Sequence, residues 1–124
     1  MAQQLFVLVV EDDDLLRSII TRNLRAAKYM VFEAPTFRQA INEISVKPNL
    51  MILDINLPDA TGWDVAEWLE EHMSGVPIIV ISGAVKPTPA QMKKYQANAF
   101  LPKPFDMEEL LALIEQYAPT ITNS

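Results

Sequence analysis

The 124 residues are enough for one domain with a buried core, half of them are apolar, and none is cysteine. The lack of cysteine excludes disulfides and thiolate chemistry, and a formal net charge of −6 argues against direct binding of nucleic acid through its phosphates. No apolar run is long enough to cross a membrane and no export signal opens the chain, so we expect a cytoplasmic protein without a membrane partner.

Short apolar runs alternate along the chain with stretches of helical spacing. Several runs are rich in Val and Ile and lack polar alternation, which is typical of strands covered on both faces of a parallel sheet. The predicted strands are 5–10, 30–34, 50–53, 77–81 and 99–101.

The intervening stretches predict five helices, because apolar residues recur in them at intervals of three and four. Four of the apolar stripes are Leu15, Leu16, Ile19, Ile20 and Leu24; Phe37, Ala40, Ile41 and Ile44; Val65, Ala66, Leu69 and Met73; and Met107, Leu110, Leu111, Ile114 and Tyr117. Asp106 and Glu109 predict a capping box at the start of the last helix. The helix within 86–97 is expected to be short and poorly anchored, since Pro87 and Pro89 delay its start and its body is mostly polar.

Five repeats of strand and helix predict an α/β fold with a doubly wound, five-stranded parallel sheet and right-handed crossovers. The expected strand order is 2-1-3-4-5, the flavodoxin-like arrangement, in which ligands bind beyond the carboxyl ends of strands 1 and 3. We expect the domain to occupy residues 1–118, with 119–124 as a frayed tail or the start of a linker.

Polar residues gather where the predicted strands end. Glu11 and Asp12 follow the first strand, Asp54 follows the third, and Ser82 and Lys103 follow the fourth and fifth. The fold would bring all of them to one edge of the sheet. Three carboxylates and one lysine sum to a charge of −2. A hard divalent cation with oxygen ligands would offset that charge, and Mg²⁺ is the expected one.

These residue types suit phosphoryl chemistry, because Mg²⁺ on carboxylates usually accompanies a phosphoryl group. Asp54 is the candidate nucleophile that would form an acyl phosphate, with Ser82 and Lys103 contacting the phosphate oxygens. Two residues on, Asn56 stands where phosphatases of the haloacid-dehalogenase type place a second acid. Without that acid, the phosphoryl group is expected to persist rather than turn over.

Four motifs resemble those of the response-regulator receiver domain. They are Val9-Val10-Glu11-Asp12-Asp13, Asp54-Ile55-Asn56-Leu57-Pro58 with Gly62, Ile81-Ser82-Gly83-Ala84, and Phe100-Leu101-Pro102-Lys103-Pro104-Phe105. Each motif alone is weak evidence, but all four occur in order and at the family's spacing. The resemblance extends from the first strand to the last helix.

The resemblance implies a phospho-accepting domain of a two-component phosphorelay, and not an enzyme beyond its own phosphorylation and slow dephosphorylation. Glu11, Asp12, Asp54 and the backbone carbonyl of Asn56 would hold Mg²⁺. Asp54 would accept the phosphoryl group from a phosphohistidine of a histidine kinase or a histidine phosphotransfer protein.

The resemblance also implies a switch that passes the signal to an unidentified downstream protein. Ser82 would move toward the phosphoryl oxygens, and Lys103 would contact them. Phe100 would change rotamer with Ser82, on the face formed by the fourth helix, the fifth strand and the fifth helix. The peptide bond between Lys103 and Pro104 is expected to be cis.

Three other functions fit parts of the pattern. A receiver-like interaction module that is never phosphorylated usually loses Asp54 or Lys103, and this chain keeps both. A phosphatase of small molecules would need a second carboxylate at the position where this chain has Asn56. A flavin-binding protein of the same topology is disfavoured, because the first loop is acidic rather than rich in Ser, Thr and Gly.

Overall fold

The computed structural model describes residues 4–118, so the predicted tail at 119–124 lies outside the described residues. Within them, five strands alternate with five α-helices, and a short 3-10 helix (Ile44–Val46) precedes the third strand. The strands are β1 (Phe6–Val10), β2 (Met30–Ala34), β3 (Leu50–Asp54), β4 (Ile78–Ser82) and β5 (Ala99–Pro102). The helices are α1 (Asp14–Ala26), α2 (Phe37–Glu43), α3 (Gly62–His72), α4 (Pro89–Lys94) and α5 (Met107–Tyr117).

The sheet confirms the predicted fold. Every strand pair is parallel, and the order is β2-β1-β3-β4-β5. The strand bounds agree with the predicted ones to within one residue, and β1, β3 and β4 are buried on both faces as their apolar runs predict. The register pairs Val10 with Leu53, Asp54 with Ile81 and Ser82 with Pro102, so the carboxyl ends of β1, β3, β4 and β5 lie at one edge.

Each face of the sheet has its own apolar core. One core joins alternate strand residues to buried side chains of α2 and α3, among them Val65 and Leu69. The other joins the opposite strand residues to α1 and α5 through Leu24, Leu110 and Ile114. Burying one side chain of this size contributes roughly 1.5–3 kcal/mol, so the two cores fix the sheet and thereby the edge that carries the polar residues.

The first helix differs from its predicted apolar stripe. Ile20 and Leu24 are fully buried, but Leu15 is 72% exposed and Ile19 is 36% exposed. At 3.6 residues per turn, Leu15 lies two and a half turns from Leu24 and therefore on the opposite side of the helix. The prediction that Leu15 and Ile19 belong to the buried face is wrong.

The fourth helix is short and weakly anchored, as predicted. It spans six residues and buries none of them. Its first turn is closed by a capping box between Thr88 and Gln91. Its C-terminal cap, Tyr95, stacks on Trp63 of α3, with ring centroids 4.8 Å apart. Met92 of α4 and Tyr95 also pack, partly buried, against the core on that face of the sheet.

The last helix begins as its sequence predicts. The Glu109 carboxylate accepts a hydrogen bond of 3.2 Å from the backbone N–H of Asp106. Within residues 4–118, none of the helices combines the length and the apolar character that a membrane span requires.

Candidate functional site

Three carboxylates meet at the carboxyl edge of the sheet. Glu11 directly follows β1 and is fully buried, Asp54 ends β3 with 2% of its surface exposed, and Asp12 is exposed. Each of the three offers an oxygen atom, and these oxygens all lie within 4.8 Å of one another. The sheet register produces this proximity, because β1 and β3 are neighbours whose ends are level. The predicted acidic cluster is therefore present.

Backbone amides orient two of these carboxylates. Glu11 Oε2 accepts a hydrogen bond of 3.0 Å from the amide of Asp13. Asp54 Oδ1 accepts one of 3.2 Å from the amide of Asn56. Asn56 is thus brought beside Asp54 by its backbone, while its side chain is exposed. The role predicted for Asn56, in which its backbone carbonyl is a ligand of Mg²⁺, stays a prediction.

Lys103 points into the cluster from the end of β5. Its Nζ lies 2.6 Å from Glu11 Oε1 and 3.3 Å from Asp54 Oδ2. The contact with Glu11 is the shorter of the two and forms an ion pair with a fully buried carboxylate. The peptide bond between Lys103 and Pro104 is cis, as predicted.

Burial and charge together set the protonation of this group. Burial is the main cause that raises the pKa of Glu11 to about 7, against the opposing effects of Lys103 and the Asp13 amide. For Lys103, burial lowers the pKa, but Glu11 and Asp54 outweigh it and the pKa is raised. Lys103 is therefore a charged ammonium, and it is a single cation among three carboxylates.

Ser82 lies at the same edge at the end of β4, and Phe100 lies on the neighbouring strand β5. Ser82 ends β4 and is buried, and its Oγ accepts a hydrogen bond of 3.3 Å from the amide of Val85. Both residues line a cleft of about 450 Å³ that continues along residues 83–86. Within residues 4–118, no side-chain hydrogen bond joins Ser82 to the carboxylates. Ser82 thus stands at the predicted edge but is occupied in capping the β4–α4 loop.

The match to known proteins agrees with this geometry. Residues 7–115 match the model of the response regulator receiver domain. The chain belongs to this family. It is therefore a receiver domain of the kind found in two-component response regulators.

Two curated relatives and one solved structure illustrate the family. The receiver domain is 35% identical over 119 residues to the sensory transduction protein BceR of Halalkalibacterium halodurans. It is 36% identical over 109 residues to the KDP operon transcriptional regulatory protein KdpE of Escherichia coli. These alignments cover 94% and 86% of this chain but 51% and 48% of the relatives, so the chain spans about half of their length. The non-phosphorylated HemR receiver domain from Leptospira biflexa superposes with a TM-score of 0.87 and 28% identity, covering 98% of this chain and 99% of that chain.

Gly62 sets the loop that follows Asp54 in this receiver domain. Its amide donates a hydrogen bond of 2.6 Å to the carbonyl of Ile55, so the first residue of α3 lies directly against the end of β3. A Cβ atom at this position would lie 2.3 Å from the backbone oxygen of Asp54 and 2.9 Å from the Cα of Ile55. The glycine is required because the two backbones approach each other closely, and not for a left-handed conformation.

Two further residues of the edge were not predicted from the sequence. Arg17 of α1 donates to the backbone carbonyl of Glu11 and pairs with Asp14 and Glu33. Asp59, in the β3–α3 loop, accepts hydrogen bonds from the amides of Phe37 and Arg38 at the start of α2. The only local signal is the spacing of Asp14 and Arg17, three residues apart on one helix, which favours an ion pair.

The donor set of the cluster suits a hard cation. All three groups supply carboxylate oxygens, which are the ligands that Mg²⁺ prefers in proteins. Glu11 is fully buried, and its pKa is raised because burial outweighs the favourable contacts with Lys103 and the Asp13 amide. Glu11, Asp12 and Asp54 would therefore gain from a divalent cation.

Proposed function

We propose that this receiver domain accepts a phosphoryl group on Asp54 from a phosphohistidine of a histidine kinase or a histidine phosphotransfer protein. The observation that carries the proposal is the convergence of Glu11, Asp12, Asp54 and Lys103 at one sheet edge. Such a domain is a signalling element, and its chemistry would be limited to its own phosphorylation and slow dephosphorylation.

The transfer would be a displacement at phosphorus. A carboxylate oxygen of Asp54 forms the new P–O bond while the P–N bond to the partner's histidine breaks. The electron pair of that bond leaves on the imidazole nitrogen, which takes a proton from solvent. Lys103, already 3.3 Å from Asp54 Oδ2, is placed to pair with a phosphoryl oxygen, which stabilises the charge that develops there.

Glu11, Asp12 and Asp54 would hold Mg²⁺, with the Asn56 carbonyl as a further ligand. When bound, the cation would supply positive charge that offsets both the carboxylates and the phosphoryl oxygens. Asn56 carries no titratable group, so position 56 offers no general base to activate water. The acyl phosphate is therefore expected to persist.

The switch would follow from Ser82. Its hydroxyl now accepts from Val85, and turning it to donate to a phosphoryl oxygen would release that amide. The β4–α4 loop would then rearrange, and Phe100 could change its position in the adjoining cleft. The face that would change is formed by α4, β5 and α5, which we propose as the surface that contacts a downstream protein.

The direct test is incubation with a small acyl phosphate and Mg²⁺, followed by intact mass measurement. The parent protein is expected to gain the mass of one phosphoryl group, and omission of Mg²⁺ or the change Asp54→Asn should abolish the gain. Asp13→Asn is the matched control, because Asp13 belongs to the same acidic run but caps α1 through the amide of Leu16. An unchanged parent mass would favour the alternative, an interaction module that is never phosphorylated.

A further inference from the structure

Arg17 has an unusual position for an arginine of an amphipathic helix. Its side chain is only 15% exposed, and its guanidinium contacts its own helix, the loop after β1 and strand β2. Nη1 donates to the backbone oxygen of Glu11 at 2.9 Å, Nη2 lies 2.8 Å from Asp14 Oδ1, and Nε lies 3.1 Å from Glu33 Oε1. Each of the three guanidinium nitrogens makes one of these contacts, a planar arrangement that the single nitrogen of a lysine does not reproduce.

The guanidinium of Arg17 remains protonated. Burial lowers the pKa of Arg17, but the carboxylates of Asp14 and Glu33 outweigh it and the pKa is raised. Glu33 lies on β2, the strand next to β1, so the ion pair fastens α1 to the sheet beside the acidic loop.

The carbonyl that Arg17 holds belongs to the peptide between Glu11 and Asp12. On its other side, Glu11 is fixed by a hydrogen bond of 3.1 Å from its amide to the carbonyl of Ala34. A peptide unit is planar, so the direction of the Glu11 carbonyl also sets the direction in which the chain continues to Asp12. The Asp12 side chain is exposed and has no hydrogen-bond partner within residues 4–118. Its approach to the cluster therefore depends on the backbone.

We propose that Arg17 is a positioning residue, which holds the peptide between Glu11 and Asp12 so that both carboxylates face one cation. This inference rests on the proposed function, since it assumes that the cluster binds Mg²⁺. Arg17 itself contacts neither the cation nor the reacting atoms; it acts through the backbone of the loop.

Charge and positioning predict opposite effects of removing Arg17. An arginine near a cation site repels the cation, so loss of its charge alone would tighten Mg²⁺ binding. Loss of the held carbonyl would weaken binding, because Asp12 would sample other orientations. Arg17→Lys separates the two further, since it keeps the charge but cannot make the three-way contact.

The experiment is a titration of the unphosphorylated protein with MgCl₂, followed through backbone amide chemical shifts. Arg17→Lys and Arg17→Met are both expected to weaken Mg²⁺ about tenfold, the usual scale for partners that orient metal ligands. Arg22→Ala is the matched control, an exposed arginine of the same helix with no hydrogen bond or ion pair within residues 4–118, and should change the affinity less than about twofold.

A second readout needs no metal. In the metal-free protein, the Arg17 variants are expected to shift and broaden the amide signals of Asp12 and Asp13, whereas Arg22→Ala leaves them in place. Arg17→Met keeps the apolar stem of the side chain, so thermal unfolding should show a folded protein, and Arg17→Lys gives an independent second variant.

The outcomes separate this inference from the proposed function. If the parent shows no saturable response to Mg²⁺, the cation site itself is contradicted. If the parent binds Mg²⁺ but Arg17→Lys binds equally well, or Arg17→Met binds more tightly, Arg17 acts at most through its charge and the positioning role is overturned.

Discussion

α1 and α4 both follow a strand whose carboxyl end carries site residues, yet they are held to the domain very differently. α1 has 13 residues, buries Ile20, Thr21 and Leu24, and is tied to β2 through Arg17. α4 has six residues, buries none, and depends on a capping box and the stack of Tyr95 on Trp63. Local stability follows the buried contacts of each element, so α4 is expected to open far more readily than α1.

This difference divides the sheet edge into a fixed side and a movable side. The fixed side carries the residues that would hold a cation and accept a phosphoryl group, which need one geometry. The movable side carries Ser82 and the loop to α4, which would have to change when the site is modified. A signalling domain benefits from this arrangement, because the change in the site can be transmitted without unfolding the part that performs the chemistry.

The largest expected effect is a loss of stability on the fixed side, where β3 meets α3. Gly62→Ala places a Cβ atom 2.3 Å from the backbone oxygen of Asp54, and neither backbone can yield without moving β3 or α3. We expect a loss of about 4 kcal/mol in the free energy of unfolding, at the upper end of single substitutions. Urea denaturation measures it, with Gly83→Ala as the control, because its added Cβ meets only the Lys103 side chain at 3.5 Å. Equal losses for the two variants would contradict this explanation.

A pair of truncations compares the two helices directly. Leu24→Ala in α1 removes a fully buried side chain and is expected to cost about 3 kcal/mol of unfolding free energy. Met92→Ala in α4 removes a half-buried side chain and should cost about 1 kcal/mol. Both losses in unfolding free energy can be measured by urea denaturation under the same conditions. A cost for Met92→Ala that reaches that of Leu24→Ala would mean that α4 is as firmly anchored as α1.

The anchor of α4 can be removed alone. Tyr95→Ala abolishes the stack on Trp63, and aromatic pairs of this kind contribute about 1 kcal/mol. Hydrogen exchange is expected to become about fivefold faster at the amides of Met92 and Ala97, with no change in α1. Tyr95→Phe keeps the ring and should exchange like the parent. Uniform acceleration across both helices would show global rather than local opening.

The smallest effect concerns a loop on the fixed side and depends on pH. A hydrogen bond from the amide of Phe37 is the main cause that lowers the pKa of Asp59; burial opposes it, and a weaker contribution from the amide of Arg38 supports it. A carboxyl group whose pKa is lower in the folded state stabilises the fold above its unfolded pKa, and this contribution is lost as the pH falls through the folded value. Asp59→Asn should therefore lower the urea midpoint slightly at pH 7.

At a pH below the lowered pKa of Asp59, the two proteins should converge, because the Asp59 carboxyl is then protonated in both the folded and the unfolded state. The comparison needs only urea midpoints of the parent and Asp59→Asn at the two pH values. A difference that is unchanged at low pH would show that the charge of Asp59 does not support α2.

The sequence was sufficient for the elements that depend on local pattern. Apolar runs such as that ending at Val10 give the strands, and the alternation of strand and helix gives the sheet order and the edge where Glu11 and Asp54 meet. Contacts between segments that are distant along the chain have no comparable periodic pattern in the sequence. The pairing of Arg17 with Glu33 and the capping of α2 by Asp59 depend on how loops lie across the sheet, and neither has a periodic signal.

The error on α1 has the same origin. Leu15 and Ile19 fit a helical repeat with Leu16 and Ile20, but the repeat alone does not say which part of a broad apolar surface meets the sheet. Only the packing of α1 against β1, β2 and α5 decides that Leu24 defines the buried side.

The stack of Trp63 on Tyr95 has a practical consequence. An indole in contact with the C-terminal cap of α4 is an intrinsic optical reporter: its emission should change when that helix detaches. Trp68 lies on the same helix but stacks on His72, which gives a second chromophore away from α4. With Trp68→Phe, a stopped-flow fluorimeter could follow the movement of α4 in real time without any attached dye.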